Sequence, residues 1–230
     1  MRLGEMTTLL MLSGTVLGAV ASYAIGHGWV PDRYLLQPGR QDWARFKGRL
    51  PLTLANLAVV ITLSAVSFNA IDHLLSRAPL ALGTFLVQLV IVLVVDDTWF
   101  YFMHRAYHRI PFLYRRVHRV HHKAFAPLPL DYLHVHPVEW ITGSTGILGG
   151  FGLVWLIWGE LSVATVLSAS AIKQLHELHV HTGLRAIFLG RIPLLGTVDH
   201  HDLHHAKPNE GNYGTALKIW DQLLGTLKAR

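Results

Sequence analysis

The chain has 230 residues, 51% of them hydrophobic, with a mean hydropathy of +0.35 and only 15% charged residues, which points to a membrane protein and away from an ordinary soluble domain. Cysteine is absent, so disulfides, thiolate metal sites, iron–sulfur ligation and a cysteine nucleophile are excluded, and any metal must be held by nitrogen and oxygen. The formal charge of +6 falls beside apolar runs, which makes the lipid bilayer, with its anionic head groups, the expected counter-charge and argues against nucleic acid.

Thr7 to Gly26 carries no formal charge, and at about 1.5 Å rise per residue it is long enough to cross a hydrocarbon core of about 30 Å. It is the first candidate helix; a cleaved signal peptide is the competing reading, opposed by Glu5 and by the length of the run. Leu50 to Ile71 is a second run, and Leu80 to Val95 a third that closes on "DDTWFYFMH", with aromatics where an interfacial belt would lie. Ile141 to Gly159 and Leu161 to about Ser170 are separated only by "GE" and predict a tight helical hairpin whose second arm need not cross fully. The small residues of "TGSTGILGGFG", 142–152, predict close helix packing or an acyl groove. The expected fold is all-α and integral to the membrane, with four to five hydrophobic helices in one domain spanning 1–230.

Basic residues orient it. Arg33, Arg40, Arg45, Lys47 and Arg49 lie between the first two runs, against Arg77 alone between the second and third. Every basic residue from Arg105 onward is expected on the side of Arg45, together with the C-terminal Arg230. The N-terminus is then outside, and the histidine-rich segments are cytoplasmic in a multi-pass protein.

Those segments hold much of the chain's complement of 16 histidines. His104 and His108 are four apart, on one face of a helix a turn apart. His118, His121 and His122 stand at i, i+3 and i+4, again one face, and "HHDLHH" repeats this at His201, His204 and His205. Eight imidazoles exceed what one four-coordinate ion uses, so two metals fit the count better; iron, copper, zinc and nickel all suit the ligand type. Leaving so many polar rings buried without partners would cost a few kcal/mol each. Isolated rings such as His27 and His73 read as interfacial or core residues. Asp96 and Asp97 stand in an apolar helix, where a bare carboxylate is expensive and a partner is the default expectation.

"HRAYH", "HRVHH" and "HDLHH", followed by "NEGNYGTALKIWDQLLGT", resemble the fatty acid hydroxylase and sterol desaturase superfamily of integral-membrane di-iron enzymes. The resemblance runs from about Asp97 to Thr226 and includes Asp97, Tyr101, His104, Arg105 and His108 as "DxxxYxxHRxxxH" and "LHVHPVE" at 133–139 as its "HPxE" segment. It divides the chain into N-terminal transmembrane helices, 1–96, and a histidine-box region, 97–226, and implies a cytoplasmic helical cap holding a histidine-rich di-metal site. By motif position His104, His108, His118, His121, His122, His201, His204 and His205 carry over as ligands of two iron ions that activate O2. His181, before "TGL", is the position most similar to the family's further histidine, with Glu177 or His179 as alternatives. His136, His176, Asp97 and Asn212 are additional candidates for ligation or support of the ligands, and His200 for support.

The implied reaction is hydroxylation or desaturation of a membrane lipid, fatty acyl, sterol or related. Carboxylates are expected to orient the rings, with Asp97, Asp131, Glu139, Glu177, Asp199 and Asp202 as candidates. A separate electron donor, a ferredoxin, cytochrome or reductase, would dock near Arg115, Arg116, Arg119 and Lys123. In "NEGNYG", 209–214, Asn212 or Tyr213 is expected against the metals, with Gly211 and Gly214 turning the chain so that a terminal helix lays Leu217, Trp220 and Leu224 over the histidine helices. The alternative is a histidine-rich membrane metal-binding or transport protein, which would spread its ligands through the bilayer depth.

Overall fold

The computed structural model describes residues 1–185 and 194–229. Helix accounts for 71% of it, and the two strands among the described residues are two residues each, so the class is all-α. Arg230 lies outside the described residues.

Four helical segments, 3–26, 50–74, 82–109 and 137–158, are long and apolar enough to cross a membrane. α1 (Leu3–Gly26) starts before the charge-free run because Glu5 lies in its first turn and accepts from Arg2 N at 3.0 Å. A short α2 (Trp43–Lys47), capped by Asp42 accepting from Ala44 N, leads into α3 (Leu50–Ile71). α4 (Leu82–Arg109) does not stop where its apolar run stops; its 28 residues make about 42 Å, which leaves its last turns beyond a core of about 30 Å. It ends at Ile110, held extended before Pro111, and Pro111 opens α5 (Pro111–Arg116).

Two 3₁₀ segments, 118–123 and 129–133, carry the chain to α6 (Pro137–Trp158). Gly159, at φ 72°, closes α6 in the left-handed region, and Ser162 caps α7 (Val163–Val180), so the expected hairpin forms. α7 is longer than its apolar run. α8 (Val198–Ala206) and α9 (Ile219–Leu223) complete the chain.

α1, α3, α4, α6 and α7 form an up-and-down bundle with two distinct ends. At one end β1 (Leu75–Ser76) pairs in parallel with β2 (Leu161–Ser162), and Leu3 N donates to Asp72. At the other end α1 finishes, α3 begins, and the histidine segments gather. α4 and α6 pack closely: a Cβ on Gly150 would stand 2.8 Å from Val92 Cα, and one on Gly146 would stand 2.8 Å from Asp96 Oδ1. The small residues of α6 therefore serve packing, while Ser144 and Leu148, further round the helix, line a cavity.

Lys173 is on α7 inside the bundle, with Nζ 2.7 Å from Asp96 Oδ1. One expectation needs correction. The terminal amphipathic run is not one long helix. Leu217 pairs with Leu195 in an isolated bridge and only Ile219–Leu223 is helical, because Asp97 Oδ1 takes the N–H groups of Ala216 and Leu217. Trp220 packs on Tyr101 and Phe102 of α4, whereas Leu224 is 40% exposed.

Candidate metal centre

The histidines converge into two adjacent groups. His104, His108, His118, His122 and His204 bring one ring nitrogen each within 4.8 Å of one another, and His121, His181, His201 and His205 do the same beside them. The boxes are therefore not single-faced. In each box the pair four apart stays together: His104 with His108, His118 with His122, His201 with His205. The intervening His121 and His204 turn to the opposite group. On an α-helix residues i+3 and i+4 diverge by about 100°, which lets α8 serve both groups at once.

The ring orientations are set by outer acceptors. His104 Nδ1 donates to the Tyr213 carbonyl at 2.7 Å, His204 Nδ1 to the Gly211 carbonyl at 2.8 Å, and His181 Nδ1 to the Glu177 carbonyl at 2.8 Å. His118 Nδ1 donates to Glu139 Oε1 at 2.8 Å. With the proton on Nδ1 in each case, Nε2 presents a lone pair inward. His104 Nε2 and His118 Nε2 are then two acceptors 3.0 Å apart, and His204 Nε2 is buried with no hydrogen-bond partner.

That arrangement is repulsive unless a cation sits among the nitrogens. The nearest Nε2 separations, 2.8, 3.0, 3.0 and 3.2 Å in the first group and 3.1, 3.2 and 3.5 Å in the second, match metal bonds of about 2.1 Å at right angles, which give about 3.0 Å. The donor set fits a pair of borderline metal ions. Burial, reinforced by repulsion among the rings, holds His118, His121, His122, His201, His204 and His205 well below the ordinary imidazole value, and burial lowers His181 to about 4. The rings stay neutral and able to ligate.

The supporting carbonyls are themselves tied down. Asp221 accepts from Tyr213 N at 3.0 Å, Gly214 N at 2.8 Å and Thr226 Oγ1 at 2.6 Å, with His200 Nε2 at 3.3 Å. Burial pushes its carboxyl up, but these donors outweigh it and hold it at about 2. Tyr101 OH meets Thr226 Oγ1 at 2.9 Å. Asp97, Tyr101, His104 and His108 share one face of α4, so the same stripe grips the C-terminal segment and presents the rings.

The other candidates stand apart from both groups. His136 caps α6 through Nδ1, accepting from Val138 N; His179 is exposed; His176 is half-buried outside the cluster. Asn212, at φ 60°, holds the backbone of His200 and Lys228, and it is the Tyr213 carbonyl and ring that meet the histidines. Asp131 forms a two-point ion pair with Arg49, and Asp202 accepts from Gln37, so neither orients a ring through these contacts. The backbone carbonyls of Gly211, Tyr213 and Glu177 leave no side-chain signature that sequence reading could find.

An apolar cavity of about 490 Å³ rises from the groups between α1, α3, α6 and α7. Its lining includes His104 and His118 from the first group and His121, His181 and His201 from the second. Its size suits a lipid-sized ligand.

A helical membrane bundle with paired all-imidazole groups under an apolar cavity defines a membrane metal centre. The chain belongs to the fatty acid hydroxylase family, whose profile matches residues 89–226. It is similar to methylsterol monooxygenase erg25B of Aspergillus fumigatus, 33% identical over 62% of this chain and 48% of the relative. Methylsterol monooxygenase 1 of Rattus norvegicus is 32% identical over 58% and 44%. Sphinganine C4-monooxygenase 1 of Arabidopsis thaliana is 33% identical over 60% and 53%. The chain spans about half the length of these relatives. No solved structure matches it.

Proposed function

We propose that the protein is a dioxygen-dependent di-iron monooxygenase that hydroxylates a C–H bond of a membrane lipid, of the sterol or sphingoid kind named in its relatives, acting as one membrane domain. The observation that carries this reading is the meeting of two all-imidazole groups at the end of an apolar cavity. His104, His108, His118, His122 and His204 would hold one iron, and His121, His181, His201 and His205 the other. Bound there, iron supplies the redox activation of O2 that no side chain provides.

The chain's own residues do the rest. The carbonyls of Tyr213, Gly211 and Glu177 and the carboxylate of Glu139 fix which nitrogen of each ring faces inward. The apolar wall takes the lipid body from the bilayer and keeps water from the reacting carbon. Hydroxylation turns C–H and O2 into C–OH and water, consuming two electrons and two protons. With no cysteine for an iron–sulfur centre and no dinucleotide fingerprint in the sequence, the electrons come from a separate ferredoxin, cytochrome or reductase. The exposed Arg115, Arg116, Arg119 and Lys123 beside the second box offer it a basic surface, on the side read as cytoplasmic.

A transport reading is disfavoured because both groups gather at one end of the bundle. Purified protein is expected to hold about two irons per chain and to consume O2 only with reductant and lipid. His104→Ala and His121→Ala, one from each group, should both abolish turnover and lower bound iron. Full activity in both would end the proposal.

A further inference from the structure

The charged side chains on the cavity wall, apart from histidines, are Glu139, Lys173 and Glu177, all beside the histidine end. Two of them are engaged within the protein: Glu139 through Oε1 by His118 Nδ1, with Oε2 buried and unpaired, and Lys173 by Asp96. Glu177 has its backbone carbonyl engaged by His181 Nδ1; its carboxyl group lies in the field of Lys173, whose ammonium is bonded to Asp96, and makes no hydrogen bond of its own among the described residues. Glu177 stands on the last full turn of α7, four residues and about 6 Å along the axis before His181, which follows the helix, and both line the cavity. A carboxylate facing an apolar cavity without a donor is costly. A ligand group that donates a hydrogen bond would offset that cost.

We propose that Glu177 is a specificity-determining residue that accepts a hydrogen bond from a hydroxyl or ammonium group of the substrate. The substrate class is then an amphiphile carrying that donor within a few bonds of the C–H presented to the histidine groups, with its apolar body filling the remainder of the cavity. A lipid whose reacting methylene lies far from any polar group would leave Glu177 desolvated and unpaired, and is rejected for that reason. The proposal rests on the oxygenase reading for the identity of the reacting end, but not for its test.

The test is equilibrium binding to the full-length protein in lipid nanodiscs, without reductant, so that nothing turns over. The probes are two matched pairs, cholestanol with cholestane and octadecylamine with octadecane. The donor member of at least one pair is expected to bind on the order of 10-fold more tightly, the effect of one hydrogen bond to a charged group; the pair that shows it identifies the donor. In Glu177→Leu the preference should collapse to about onefold while hydrocarbon affinity stays unchanged, which also reports an intact fold. If Glu177→Leu loses hydrocarbon binding as well, the isosteric Glu177→Gln replaces it and is expected to cut the preference several-fold. No preference in either pair, or a preference that survives substitution, overturns the proposal. Iron content and O2 consumption are read separately, so failure of the oxygenase reading is distinguishable from failure of this one.

Discussion

At the residue scale, the centre depends on which nitrogen of each ring carries its proton. His118 is the one ring in the first group whose outer nitrogen meets a carboxylate; His104 and His204 use backbone carbonyls. An ionised Glu139 would raise the basicity of His118 as well as orienting it, whereas a carbonyl chiefly orients. Glu139→Gln keeps an acceptor and loses the charge, so iron affinity is expected to fall by about 10-fold or more, within the range of about 10- to 100-fold typical of such outer partners. Titration with a chelator, following iron release, checks this; an unchanged release curve would show that geometry alone suffices. The histidine ligand candidates were legible because their spacing is their chemistry. Their division between two groups was not, since i, i+3 and i+4 look alike in a string and diverge only when a second surface meets the helix. The pairing of Lys173 with Asp96 was not legible either, since the two sit 77 positions apart.

At the element scale, the stretch that returns the chain from the second box to α6 has little regular structure and is held from outside. Arg49, at the head of α3, donates from Nε and Nη2 to both oxygens of Asp131 at 2.7 Å, and Leu128 N donates to the same carboxylate at 2.8 Å. Asn56 of α3 donates to the carbonyls of Leu133 and Val135, both at 2.8 Å. Asp131 is completely buried and the Arg49 side chain is 13% exposed. Removing the cation strands a buried carboxylate, so Arg49→Met is expected to destabilise the protein by about 3–5 kcal/mol, the usual cost of breaking a buried pair from one side. Thermal unfolding in detergent measures it, and Asp131→Asn in the same background should recover part of the loss. A full-stability Arg49→Met would mean the segment is held by packing alone. The long helices were legible in their apolar runs, since a single segment in lipid can satisfy its own backbone groups only as a helix. The true ends of α4 and α7 were not, because beyond the membrane both continue on polar residues that tertiary contacts, not hydropathy, keep helical.

At the scale of the whole molecule, the bundle fixes which loops share an end even before a membrane is considered. The 27–49 loop belongs to the histidine end: Gln37 donates to Asp202 at 3.0 Å, Gln41 to the carbonyls of Pro127 and Thr182 at 2.6 and 2.7 Å, and Leu36 N to Gly183 O at 2.8 Å. The opposite end is closed by Leu75–Ser76 against Leu161–Ser162. Arg33, Arg40, Arg45, Lys47 and Arg49 thus join Arg105, Arg109, Arg115, Arg116, Arg119 and Lys123 at one end, while Arg2 and Arg77 are the basic residues near the other. Short loops this unequal in lysine and arginine generally orient with the richer side in the cytoplasm, so the histidine end is expected there, within reach of soluble reductants. Single cysteines test the orientation cleanly, because the chain has none of its own. Arg45→Cys and Arg119→Cys should resist a membrane-impermeant maleimide in intact cells and react after permeabilisation, whereas Arg77→Cys and Glu160→Cys should react in intact cells. Labelling of Arg45→Cys and Arg119→Cys from opposite sides would contradict the bundle itself. Labelling of both from outside would leave the bundle intact and reverse its orientation, so that the electron donor would have to be an extracytoplasmic protein.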